Sequence, residues 1–257
     1  MFTIDQAGFS RQARQLMQIT GKSGGELIRQ QAKLFVKDVL HLTPPRGKTQ
    51  PISESYAAQK RVGDNAVRRD IRKVFVSFEH LGMVKNPTNK KLGARLRQLS
   101  RAGNVAGIQA ILRNMGIADP KVLAAAQPSV HKAARNARGR VGKGHGQFVL
   151  SESSIKSYIK QTQTHVGKWK SGWMSCAMHL GIKVPDWISR HSIPGIFIDH
   201  TNNRTFPSIT LGNTAAKHQS SADLQIIETA LGIRTRNMRA LAERIISSGW
   251  KKGKFLR

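Results

Sequence analysis

Gly25-Glu26-Leu27-Ile28-Arg29-Gln30-Gln31-Ala32-Lys33-Leu34-Phe35-Val36-Lys37-Asp38-Val39-Leu40-His41-Leu42-Thr43-Pro44-Pro45 is the stretch on which the fold turns. Leu27, Ile28, Ala32, Phe35, Val39 and Leu42 recur mostly at three or four residues, the spacing of one face of an α-helix. Thr43-Pro44-Pro45 ends that helix, because proline brings no N–H to the hydrogen-bond ladder. Upstream, Phe9, Ala13, Leu16 and Met17 mark a shorter helix over 9–20, broken by Gly21 to Gly25. Downstream, residues 45–53 read as an exposed loop and 54–73 as another helix. That helix runs into Lys73-Val74-Phe75-Val76-Ser77-Phe78, which either extends it or forms a short strand.

The character of the chain changes from Lys85 to Lys143, where thirteen Lys or Arg face a single acid, Asp119. Helices are expected at Lys91–Arg101, Val105–Gly116 and Pro120–Arg138, the last started by Asp119 as N-cap and proline at the first position. Arg135 to Gly146, rich in Gly, Arg and Lys, reads as a loop. Gln147 to Leu150 is a candidate strand, after which Ser151 or Ser153 caps a long helix reaching Leu180. Pro185 and Trp187 mark a turn and a short helix. Gly195–Ile198 and Ser208–Leu211 read as paired strands, with Asn202-Asn203 in the turn. A last helix spans Ser221 to Ile246, with the stripe Leu224, Ile227, Leu231, Met238, Leu241 and Ile245 interrupted by Arg234. The tail from Lys251 to Lys254 is basic. The expectation is an α+β fold divided into an N-terminal helical part of the core (1–84), a basic helical insertion (85–146) and a C-terminal α+β part of the core (147–257).

Charge is the compositional outlier. The 257 residues carry 43 Lys and Arg against 14 Asp and Glu, a formal net charge of +29. Such a surplus repels itself and calls for a polyanion or an acidic partner surface. Hydrophobic residues at 39% are too many for a disordered chain. No run of about 18 apolar residues exists to span a bilayer, and the first residues lack the pattern of a signal peptide. A single cysteine, Cys176, permits no intrachain disulfide and suits a reducing compartment.

Catalytic patterns are weak. Gly21-Lys22-Ser23 resembles the end of a nucleotide-phosphate loop, but Leu16 stands where that loop needs glycine. Gly142-Lys143-Gly144-His145-Gly146 lacks the strand-before, helix-after setting of an anion loop. His191, Asp199 and His200 are the best metal or acid–base candidates, yet read more simply as polar loop residues. Cys176, inside Trp173–Met178, reads as a buried structural thiol. No catalytic residue, cofactor or metal is expected. The remaining signal is three basic clusters: Arg68, Arg69 and Arg72; Lys90, Lys91, Arg95, Arg97 and Arg101; and Lys132, Arg135, Arg138, Arg140 and Lys143. With almost no interleaved acid, they point to polyanion or acidic-protein contact. Their scarcity of aromatics argues against base stacking on single strands.

The Gly25–Pro45 helix with its Pro-Pro break, followed after a linker by Ala66 to Phe75, resembles the minor tail or tail-completion proteins of long-tailed bacteriophages. Val166-Gly167-Lys168-Trp169-Lys170-Ser171-Gly172-Trp173 and Lys183-Val184-Pro185-Asp186-Trp187-Ile188 are similar to recurrent segments of such proteins. So is the ending, Ile209 to Asn213 and then Leu224 to Ile246. The resemblance covers about half the chain in separate blocks, and the insertion departs from it. It implies a small antiparallel sheet packed against long helices, and a homo-oligomeric ring at the head–tail junction or tail end. The implied partners are other virion proteins (connector and tail), with packaged DNA as a further contact and no membrane. The implied location is the virion, and the host cytoplasm during assembly. The alternative from charge alone is a ribosomal- or nucleoid-like nucleic-acid-binding protein.

Overall fold

The computed structural model describes residues 24–47, 54–81, 84, 88–117, 120–136, 141, 147–203, 207–215 and 221–251. The short helix expected at 9–20, the phosphate-loop-like Gly21-Lys22-Ser23, and Arg138, Arg140 and Lys143 with the glycines around them lie outside the described residues. The chain divides into two compact units. One joins residues 1–60 to 166–257, and the other is the continuous stretch 61–165. The second unit is therefore wider at both ends than the basic segment 85–146, because the flanking helices and strands share its core.

The chain is α+β. In the first unit α1 (Gly24–Leu42) buries Leu27, Ala32, Val36, Val39, Leu40 and Leu42, as its three- and four-residue spacing requires. Thr43 closes the helix with both its N–H and its hydroxyl, which donate to the Val39 carbonyl at 2.8 and 2.6 Å. The strands β4 (Ile196–Asp199) and β5 (Ile209–Gly212) pair antiparallel, Ile196 opposite Gly212 and Asp199 opposite Ile209. Helix α10 (Ser221–Lys251) lies along α1. One core joins α1, the sheet, α10 and the segment Trp169–Val184. The buried line of α10 is Ile226, Ala230 and Met238, a four-residue ladder through position 234. The stripe read from sequence lies about one residue to the side, and its Leu241 is 43% exposed.

The long helix expected from Ser151 to Leu180 is three pieces: α6 (Glu152–Gln163), α7 (Lys168–Ser171) and α8 (Met174–His179). Ser151 does cap α6, its hydroxyl accepting from the Ser154 N–H at 3.3 Å. Gly167 is what breaks the run. Its φ is +97° and a β-carbon there would come within 2.5 Å of the Trp187 carbonyl oxygen, in the turn of α9 (Asp186–Ser189). Both the left-handed backbone and the close approach demand glycine. Gly167→Ala is expected to cost about 2–3 kcal/mol in urea unfolding, with the loss confined to the first unit by hydrogen exchange.

The second unit holds a three-stranded parallel sheet in the order β1-β3-β2, formed by β1 (Phe75–Ser77), β2 (Val122–Leu123) and β3 (Gln147–Val149). Alternation along the strands serves two layers. Phe75, Leu123 and Val149 pack with Ile71 and Val74 of α2 (Tyr56–Val74) and with Ile155 and Ile159 of α6. Val122 and Phe148 pack with Leu96 of α3 (Lys90–Arg101) and with Ile108 and Leu112 of α4 (Val105–Asn114). A parallel sheet needs cover on both faces, and these helices supply it. The helix expected over Pro120–Arg138 is instead β2 followed by the short α5 (Pro128–Ala133). Pairing with β3 recruits Val122 and Leu123, and Pro128 at the helix start delays α5.

Candidate docking face

The basic clusters do not share one environment. In α2, Arg68 and Arg69 are exposed, whereas Arg72 forms an ion pair with Glu152. In α5 Lys132 is exposed. Just after it Arg135 pairs with Asp70.

The α3 cluster stands apart. Lys90, Lys91, Arg95, Arg97 and Arg101 are all exposed. Arg97 donates to the Val84 carbonyl at 2.8 Å. The other four face no acid on their own helix or on α4, since the stretch from His80 to Ala118 contains neither Asp nor Glu. The helix carrying them is fixed. Asn89 caps it, accepting from the Leu92 N–H at 3.1 Å. Leu96 and Gly93 are buried, and the Ser100 hydroxyl donates to the Leu150 carbonyl at 3.1 Å. At 100° per residue, Lys91 and Arg95 form one row along the outer face and Lys90, Arg97 and Arg101 another, with Ala94 and Gln98 between them. A shallow depression of about 680 Å³ lies along the Lys91–Arg95 row, lined by those two residues with Ala94, Gln98, Leu99 and Ala102.

The acid–base candidates have structural employment. Asp199 accepts from the Thr201 N–H at 2.9 Å and from its hydroxyl at 2.6 Å. Those two bonds, with the charges of Arg29 and His200, hold its carboxyl below the usual range. His191 Nε2 sits 3.0 Å from the Val166 carbonyl, and His200 is exposed at the end of β4. No group of three or more His, Cys, Asp or Glu among the described residues could hold a metal ion. Cys176 is fully buried, with its Sγ 3.1 Å from the Ile196 carbonyl oxygen. Burial pushes its thiol up, away from the reactive thiolate.

Two polar features carry no signal in the sequence pattern. His131, 4% exposed, lies between Asp70 Oδ2 at 3.1 Å and the Tyr158 hydroxyl at 3.0 Å. A carboxylate only accepts, so Nε2 carries the proton toward Asp70 and Nδ1 accepts from Tyr158. Burial, then the Arg135 charge, lowers its pKa against the opposing pull of Asp70. With both ring nitrogens engaged, it pins α5 to α2 and α6 rather than facing a substrate. Lys170 is fully buried and its Nζ donates to the Leu40 carbonyl. That carbonyl would ordinarily accept from residue 44, but Pro44 has no N–H, so the lysine fills the gap. Burial brings its pKa down to about 7, with Glu54 opposing and Arg46 adding to the effect.

Arg234 and Asp38 explain the interrupted stripe of the last helix. Nε lies 2.6 Å from Oδ2, with both side chains largely buried. Desolvation raises the Asp38 pKa and the arginine only partly restores it. Opposite charges interrupting the apolar stripes of two helices are a signal that could have found this pair.

None of the described helices is long and apolar enough to cross a membrane. Comparison with protein-family models, with curated proteins and with solved structures finds no match to this chain.

Proposed function

We propose that the chain is a structural, non-enzymatic protein of a long-tailed phage virion, a tail-completion or head–tail joining component that assembles as a ring through contacts with its own copies and with other virion proteins. The observation that carries docking onto an acidic neighbour or onto packaged DNA is the cation surplus of α3, exposed on an ordered helix and unanswered by acids of its own hairpin. The buried titratable groups support the same reading, since Lys170, His131, Asp38 and Cys176 are each engaged within the protein. The resemblance of Gly25–Pro45, Val166–Trp173 and Lys183–Ile188 supplies the virion setting, and a small antiparallel sheet packed with long helices agrees with it.

The test is mass spectrometry of purified virions together with negative-stain images of the purified protein. The expected result is a fixed copy number in virions and rings, or a band at the neck or tail end. A protein absent from virions that stays monomeric at high concentration overturns the reading.

A further inference from the structure

We infer that the outer face of α3 binds the sugar–phosphate backbone of duplex DNA. The inference uses the same cations as the docking reading but does not need the virion location.

The two rows of cations are set to straddle a phosphate chain. At 1.5 Å of rise per residue, Lys91 and Arg95 stand about 6 Å apart along the helix, as do Arg97 and Arg101. A DNA strand offers one phosphate per roughly 3.4 Å of axis but winds around that axis, so successive phosphates along its path are separated by about the spacing within each row. The floor between the rows is Ala94 and Gln98, short or polar and exposed, which lets a backbone approach closely. The cations ride on a capped and anchored helix rather than a tail, so less order has to be gained on binding.

Two further observations select the ligand. No Phe, Trp or Tyr occurs from Glu79 to Gln147, so α3, α4 and α5 offer no platform for stacking unpaired bases. An acidic protein partner would call for an apolar or aromatic anchor at the centre of the interface. This face offers only alanines and the edge of the half-buried Leu99. Duplex backbone, which is charge without an apolar anchor, fits both facts.

The experiment measures the affinity of the full chain for a fluorescent random-sequence duplex of about 24 base pairs, by anisotropy over a range of salt concentrations. Substitutions to glutamine remove charge while preserving helix propensity, and far-UV circular dichroism checks that each variant is folded. The combined variant Lys91→Gln, Arg95→Gln and Arg101→Gln should reduce the slope of log K against log salt by about 2.7, since each phosphate that is no longer neutralised lowers it by about 0.9. A control with equal charge loss elsewhere in the same unit, Lys121→Gln, Lys156→Gln and Lys160→Gln, should change the slope by less than about 1. Equal losses in the two variants would mean diffuse attraction and overturn the site. Poly-L-glutamate of matched charge binding as tightly as the duplex, with the same loss in the α3 variant, would assign the face to an acidic protein and likewise overturn the inference. The virion result leaves either outcome intact.

Discussion

Arg234→Met should destabilise the protein by about 3–5 kcal/mol at pH 7, the usual cost of leaving a buried charge without its partner. Asp38 is 5% exposed, and even with Arg234 beside it burial keeps its pKa above the ordinary carboxylate value. Removing the guanidinium takes away the main group favouring the charged form. Asp38 must then fold either charged and alone or neutral after taking up a proton. A carboxyl whose pKa is raised on folding contributes stability that is present at low pH and is lost as the pH climbs through the folded value. The gap between wild type and Arg234→Met should therefore narrow as the pH is lowered toward the acid range. The double variant Asp38→Leu with Arg234→Met should recover to within about 1 kcal/mol of wild type or exceed it. Urea unfolding of the four proteins in the cycle measures all three effects, and a fully additive cycle would show that the two side chains do not interact.

Lys170→Met should invert its effect on stability with pH. In the unfolded chain the amine titrates near 10.5 and in the folded protein at about 7. A lysine whose pKa falls on folding contributes stability that is present above the unfolded value and is lost as the pH drops through the folded one. The window is thus 10.5 down to about 7, and the loss accumulated by pH 7 is on the order of 4 kcal/mol. Methionine matches the length of the side chain without a charge to desolvate, but it leaves the Leu40 carbonyl without a donor, at about 1–3 kcal/mol. Above pH 10.5 the variant should be less stable than wild type by that amount. At pH 7 it should be more stable by roughly the difference, about 1–3 kcal/mol. Denaturant titrations across the interval check it, and a constant difference at every pH would mean that Lys170 folds in its charged form throughout.

Where side-chain periodicity was strong, the sequence was a sufficient guide. Helix α1, the pair α3–α4 and the strands β4 and β5 lie where the spacing of apolar residues puts them. The failures came where a partner distant in sequence decides. Val122 and Leu123 form a strand only because β3 lies beside them 25 or more residues later, so no local pattern marks them. The run after Ser151 carries local breakers in Gly167 and Gly172, but the passage of Gly167 under the Trp187 carbonyl, which makes the first of them obligatory, belongs to the tertiary fold. The candidate site was legible as charge and illegible as geometry. Arg72 and Arg135 are engaged by Glu152 and Asp70, acids roughly 80 and 65 residues away, whereas the acid-free run from His80 to Ala118 that carries α3 could be read directly.

The division of the chain has a consequence for its birth on the ribosome. The unit 61–165 is continuous and can fold as soon as it emerges from the exit tunnel. The other unit cannot, because α1 packs against α10, whose first residue is made roughly 180 residues after α1 ends. At about 5–20 residues per second, the nascent α1 waits roughly 10–40 s with Val36, Val39 and Leu40 uncovered. During translation that helix presents an apolar face that a chaperone can cover.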